Sequence, residues 1–339
     1  MRYRPAHVLA ATIVALLAVV AGYTAYWFVA AAALRDGIET WAAARRAEGY
    51  TVGYDALAVS GFPARLAVEI AAPRVGRSDE RLAWTWSADR LAAAARPWAF
   101  DEIAVTLSGT HRVRYRRGGG EERAITADIE YGVARVHLTA GAARRVTVAM
   151  TGIVAATPKG TLRIARLDAT GDGESESSLR VNVDVQGLTL PPGSGGVLGS
   201  EISAAAAEAS VTGAAPEALS RAALLAWSRG GGTVELEALS IRWDGLGVHA
   251  AGTLALDDRL RPQAALTAEI TGYAAVLEAL AQAGAMKPSD AALATTFLNL
   301  LAKTGADGER LLSVPLTAQD GTLFVGPLPL VKLAPVLPE

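Results

Sequence analysis

The hydrophobic pattern of the chain changes period near residue 48. Before that point Val8 to Leu34 carries no charged side chain, and Arg2 and Arg4 stand just in front of it. About 20 apolar helical residues cross a hydrocarbon core about 30 Å thick, so this run is long enough to span a bilayer with tilt. Leu34, Ile38, Trp41 and Ala42 then recur at helical spacing to about Ala47, and Gly49 stops the helix.

Beyond Gly49 the period becomes two. Val52 and Tyr54 lead to Leu57 and Val59, Gly61-Phe62-Pro63 turns the chain, and Leu66, Val68 and Ile70 alternate with Arg65, Ala67 and Glu69. Leu82, Trp84 and Trp86 share a face, as do Ile103, Val105 and Leu107, then Ile125, Ala127, Ile129 and Tyr131. Val146, Val148 and Met150 follow, and Val181, Val183 and Val185 alternate with Asn182 and Asp184. Short alternating strands between glycine and charged turns predict antiparallel sheet rather than βαβ units. After Val234 and Leu236 the apolar set becomes Leu239, Ile241 and Trp243. A phase flip moves every side chain to the other face, so a bulge is predicted near Ala238. Helices are predicted near 216–227, 273–283 and 289–303, strands at Leu312–Thr317 and Thr322–Val325, and a proline-rich tail from Pro327.

The expected fold is therefore mainly β (α+β): an N-terminal transmembrane helix, then an extended, curved antiparallel sheet with a few helices. Residues 1–48 form a cytoplasmic stub, anchor and helical extension. Residues 49–190 and 200–339 form two β-rich regions on either side of the loop Pro191–Gly199. The arginines before the apolar run and the long domain behind it predict a single-pass bacterial inner-membrane protein with its bulk in the periplasm, residues 8–34 contacting bilayer lipid. A cleaved signal peptide is the rival; Ala30–Ala33 could supply its site, but the apolar run exceeds the roughly 7–15 residues of such peptides. A buried helix of a soluble protein is the third reading.

Composition adds mainly exclusions. The formal net charge of −2 over 339 residues gives no reason to expect a nucleic-acid partner. With no cysteine there is no disulfide, thiolate nucleophile or cysteine metal site. His7, His111, His137 and His249 stand singly, so no metal-ligating set is assigned. No nucleophile elbow or phosphate loop is present. Gly193–Gly199 reads as a flexible linker, while Glu121-Glu122 and Asp257-Asp258 read as solvated turn charges. Arg112, Arg114, Arg116 and Arg117 read as the polar face of a strand, with an anionic headgroup contact as the alternative. Trp84, Trp86, Trp98 and Trp243 are expected in the core, or else lining an apolar groove. No catalytic residue and no cofactor is assigned, and the ligand-binding residues stay unknown.

Several pieces in order carry a resemblance. They are Gly61-Phe62-Pro63 behind an anchor, Trp227 with Gly231-Gly232-Thr233-Val234, and Ile241-Arg242-Trp243. Gly252-Thr253-Leu254-Ala255-Leu256-Asp257, Arg261-Pro262, Asp320-Gly321-Thr322-Leu323 and Gly326-Pro327-Leu328-Pro329 complete the set. Together they resemble the bacterial domain-of-unknown-function family 2125 over nearly the whole chain. Trp243-Asp244-Gly245 departs from it, since tryptophan directly followed by glycine is expected there. The resemblance implies an anchored envelope protein with no catalytic residues to carry over. The strand–Gly–Thr–Leu style is also similar to AsmA-like envelope proteins, which implies a long curved sheet that holds lipid. The best reading is binding or handling of lipid or another apolar envelope component. The alternative is a non-enzymatic scaffold for envelope assembly whose Tyr273–Lys303 helices dock a protein partner. A third reading, an enzyme whose acidic pair is assembled only by the fold, has no motif behind it.

Overall fold

The computed structural model describes residues 5–78, 82–175, 177–213, 221–304, 310–326 and 328–337. The chain divides into two units. Unit 1 comprises Met1–Ala127 and Val133–Gly141, and unit 2 comprises Asp128–Gly132 and Ala142–Glu339. The division therefore falls within one long strand rather than at the Pro191–Gly199 loop, whose flanking strands pair with each other.

Unit 1 opens with α1 (Pro5–Ala47), and Gly49, at φ +87°, turns the chain out of the helix. The strands follow as β1 (Tyr50–Gly53), β2 (Ala56–Ser60), β3 (Leu66–Ala71), β4 (Arg74–Ser78) and β5 (Leu82–Ala88). β6 (Arg90–Arg96), β7 (Ala99–Thr106), β8 (Gly109–Arg117) and β9 (Arg123–Thr139) complete the run. They form two antiparallel ladders, β1–β4–β5–β8 and β2–β3–β6–β7–β9. The chain passes from one ladder to the other at Asp55, Ala72-Pro73, Asp89 and Leu107-Ser108. Backbone bonds stitch this crease: Asp55 N–H donates to Ala71 O at 2.9 Å, Ala72 N–H to Asp89 O at 3.0 Å, and Asp89 N–H to Thr110 O at 3.2 Å. Arg74 pairs with Asp55 across it, and Arg112 with Asp89 at 2.8 Å.

β1 and β2 are edge strands whose outer carbonyls need partners, and α1 supplies them. Arg35 donates to Leu57 O at 2.9 Å and Arg46 Nε to Val52 O at 2.8 Å. Trp27, 4% exposed, and Ala31 pack on Leu66 with Ala30, Leu34 and Val59 around them. From Tyr23 onward one side of the helix packs on the strands of unit 1, while Tyr26, Phe28 and Val29 on its other side stay exposed. The Ala30–Ala33 stretch lies mid-helix.

In unit 2, β10 (Ala142–Thr157), β11 (Gly160–Ser175) and β12 (Ser178–Thr189) lead through a 3-10 turn (Gly196–Leu198) to β13 (Glu201–Thr212). After α2 (Arg221–Arg229) come β14 (Thr233–Trp243), β15 (Leu246–Leu256) and β16 (Pro262–Thr271). α3 (Tyr273–Gln282) and α4 (Pro288–Leu301) precede β17 (Lys303–Thr304), β18 (Arg310–Gln319), β19 (Thr322–Val325) and β20 (Leu328–Lys332). Each strand pairs antiparallel with its predecessor, except that β16 pairs with β18, and β20 is paired only to β19. The sheet is thus an open meander. The predicted bulge is present: register shifts between Leu236 and Leu239. The expected helix at 216–227 is observed from Arg221, residues 214–220 lying outside those described. β20 was not expected in the tail, but its proline is tolerated because the strand is an edge.

Turn residue Asp257 ties β15 to β16. Its carboxylate accepts from Arg259 N–H at 2.9 Å, Arg261 N–H at 2.8 Å and Arg261 Nε at 2.6 Å. Burial pushes its pKa up, but these hydrogen bonds outweigh it and hold the carboxyl below its ordinary value. A depressed folded pKa gives stability that is present above about pH 4 and fades as pH falls through the lower value. Asp257→Asn should cost about 1 kcal/mol at pH 7. In thermal melts the gap to wild type should close toward pH 3, and a gap independent of pH would contradict the assignment.

Candidate functional site

Directly opposed residues of antiparallel strands share a face, and across unit 2 this builds rows. One runs Val148–Ala169–Val183–Ala207–Leu239–Ala250–Ala268–Val314. Beside it lies Met150–Leu167–Val185–Ala205–Ile241–Val248–Ile270–Leu312, and on the other flank Val146–Gly171–Val181–Ala209–Leu236–Gly252–Leu266–Leu316. From β10 to β18 a row crosses about 34 Å of sheet at about 4.8 Å per strand. No polar side chain interrupts any of the three.

A covered face of this composition would be buried. Here every row residue from β10 to β13 is half-exposed, and so are Thr147, Thr170, Asn182 and Asp184 on the opposite face. Both faces meet solvent alike, as in a single layer. Toward β14–β18 the rows tighten, with Leu236, Ala250, Ala268 and Leu312 buried. The chain's accessible surface is 20845 Å², against about 13,000 Å² for a folded monomer of this mass.

Helices border the rows at the two ends of the central strands. Leu224 and Trp227 of α2 lie over Val211, Val234 and Leu254, enclosing an apolar recess of about 310 Å³. Trp227 Nε1 donates to Thr212 O at 3.0 Å and Ser228 Oγ to Leu256 O at 2.6 Å, which fixes α2 there. At the far end Trp243 Nε1 donates to Gly199 O at 3.1 Å, just past the 3-10 turn. Tyr273 OH, opening α3, donates to Asn299 Oδ1 of α4 at 2.9 Å.

The opposite face holds the polar groups. Asp168 and Asp184 oppose one another in register. Each has its own local partner: Arg166 Nε donates to Asp168 at 2.5 Å and Gln186 to Asp184 at 2.9 Å. In unit 1 a basic depression of about 610 Å³ is lined by Arg74, Arg112, Arg114 and Arg116 with Thr51, Thr85 and Ser87. The Arg112 hydrogen bond to Asp89 there holds that carboxyl below its usual range. Among the described residues no group of three or more His, Cys, Asp or Glu is placed to hold a metal.

Residues 27–334 match the profile of a family described as an uncharacterized protein conserved in bacteria (DUF2125). The chain belongs to this family. No curated protein and no solved structure matches it. The likeness to AsmA-like proteins is not among the matches. The DUF2125 match takes in both units, all of the apolar rows and the second half of α1. Its start at residue 27 coincides with Trp27, a helix residue buried against unit 1.

Within this DUF2125 chain the singled-out residues scatter. His111 stacks on Trp86 at 5.9 Å and bonds Leu107 O at 2.8 Å. His137 opposes Glu102, and His249 lies between Ser240 and Glu269 on the polar face. The side chain of His7 lies outside the described residues. Trp84, Trp86 and Trp243 are half-buried, but Trp98 is 64% exposed, which corrects its expected core position. It sits on the tip of the β6–β7 turn, where nothing covers it. The rows themselves were legible only in fragments, because pairing, not local alternation, joins the strands into one surface.

Proposed function

We propose that the protein is a bacterial inner-membrane-anchored periplasmic protein, without enzymatic activity, that takes up acyl chains of lipid or another apolar envelope component on the open face of unit 2. One observation carries this reading: unbroken apolar rows, partly exposed on β10–β13 and bordered by helices at the two ends of the central strands. A leaflet's acyl chains reach about 15 Å, half of a bilayer core, so one row accommodates them with length to spare. α1 is long and apolar enough to cross a membrane, with 18-residue mean hydropathy reaching 2.0. Arg2 and Arg4 favour a cytoplasmic N-terminus.

The test is native mass spectrometry on residues 22–339, exported and purified without detergent, which keeps Trp27 and Ala31 in their seat. The expected result is co-purifying phospholipid near one equivalent or more. A clean apo mass with no uptake of added lipid would overturn the proposal.

A second reading, docking of an envelope protein, is favoured by α4. Leu293, Phe297, Leu300 and Leu301 form an i, i+4, i+7, i+8 stripe exposed at 70, 61, 80 and 57%. A photo-crosslinking residue at Phe297 in intact cells should trap a protein, and Leu293→Glu should reduce the yield at least fivefold. Absence of any adduct would remove this reading.

A further inference from the structure

Exposed aromatic side chains in unit 1 gather where α1 first meets the strands. Tyr23 OH donates to Pro63 O, Tyr26 OH to Pro97 O at 2.7 Å, and Trp27 Nε1 to Arg65 O at 3.0 Å. These bonds pin two turn tips to the helix, the β2–β3 turn and the β6–β7 turn. Pairing of Leu66 with Ala95 sets the tips side by side. Phe28 stacks on Phe62 at 6.0 Å and Trp27 meets Phe62 edge-on at 5.5 Å. Trp27 is buried, yet Tyr26, Phe28, Phe62, Trp98 and Phe100 are 46, 60, 47, 64 and 46% exposed.

Length fixes what lies beside them. Pro5 to Gly22 rises about 27 Å, close to a bilayer core of about 30 Å, and Ile13, Leu16, Leu17 and Val19 stand bare at 48, 62, 62 and 67%. Tyr26 to Phe28 lie about 6–9 Å beyond Gly22, within or just beyond the headgroup layer, about 5–8 Å on each side of the core. Aromatic rings favour that layer because one edge is apolar and the other wet. Arg65 and Arg96, both exposed, border the two tips and suit anionic headgroups. Asp101, exposed like Phe100, follows it on β7 at the register shift beside Arg96.

We propose that Tyr26, Phe28, Phe62, Trp98 and Phe100 form an aromatic collar seated in the headgroup layer of the bilayer that α1 crosses. The two turn tips then grip the membrane surface, and unit 1 cannot swivel freely on its anchor. This inference rests on α1 being a membrane anchor, and the experiment separates the two.

The chain has no native cysteine, so single-cysteine variants carry a polarity-sensitive fluorophore at one site each. The full chain is placed in phosphatidylethanolamine–phosphatidylglycerol vesicles, with lipids brominated at shallow or deep acyl positions as quenchers. Leu17→Cys reports the anchor, Phe62→Cys and Trp98→Cys the collar, and Thr170→Cys the polar face of unit 2. We expect deep quenching at 17, shallow quenching at 62 and 98, and at 170 no more than a third of the quenching at 62 and 98. Deep quenching at 17 with water-like signals at 62 and 98 overturns the collar and leaves the anchor standing. A water-like signal at 17 as well overturns both. Because Trp98 is largely exposed, its replacement leaves the packing of Trp27 and Leu66 intact and keeps the test readable if Phe62→Cys misfolds.

Discussion

Aspartates at Val183 and Leu239 together should leave the sheet folded and abolish lipid uptake. Both lie in the central apolar row, two strands apart, with Ala207 between them. In a covered core an unpaired carboxylate would cost several kcal/mol and would unfold a domain of ordinary stability. Here both positions are half-exposed, so the charged groups keep much of their hydration. The expected loss of stability is below about 2 kcal/mol for the pair, with the far-ultraviolet circular dichroism unchanged. Bound lipid, by contrast, would have to lie against two carboxylates, and its stoichiometry should fall at least tenfold. Loss of the fold together with lipid would mean that the face is covered in solution. Retention of both would mean that the ligand, if any, lies elsewhere.

The outcome turns on a surface that sequence periodicity showed only in pieces. Alternation at Val146–Met150 and Val181–Val185 placed those residues on one side of their own strands, and the structure joins them through β11, which alternation alone did not give. The flip at Ala238 was readable because the apolar set changes parity within one strand. The same change occurs on four neighbouring strands, Met150 to Ile153, Leu167 to Ile164, Val185 to Leu188 and Ala205 to Ile202, and the pairings align all four. Gly152 and Gly187, at φ +62° and +61°, stand on this line. The three-residue apolar spacing beside a glycine was the available signal.

Other features left no local mark. An apolar helix left uncovered and one packed on an edge strand have the same composition, so nothing before pairing separated the residues ahead of Tyr23 from those after it. Trp98 and Trp86 are likewise indistinguishable by type. One caps a turn and the other opposes Val113 within a ladder. The basic row on β8 was read as a strand's polar face, and Arg112, Arg114 and Arg116 do share one, while Arg117 falls opposite Leu82 on the other.

The second large effect is expected at Gly252. It sits in an apolar row between Leu236 and Leu266, at φ +141°. A Cβ there would run into the carbonyl oxygen of Ala265 and come within 2.8 Å of Leu266 Cα. Both are backbone atoms of the paired strand, so neither can swing aside as a side chain would. Left-handed strain of about 1–2 kcal/mol and overpacking of about 1–3 kcal/mol add to an expected destabilisation of about 2–5 kcal/mol for Gly252→Ala. Gly245, in the neighbouring turn, has nothing within 4 Å of such a Cβ, and Gly245→Ala should be close to neutral. Urea unfolding of the two variants measures the difference. The expected penalty at Gly252 follows from the close approach of the β16 backbone, on the side away from the β14 bulge that opens between Leu236 and Leu239. Equal stability of the two variants would mean that β15 and β16 can slide apart there. Rows that cross from β10 to β18 would then be interrupted at their middle.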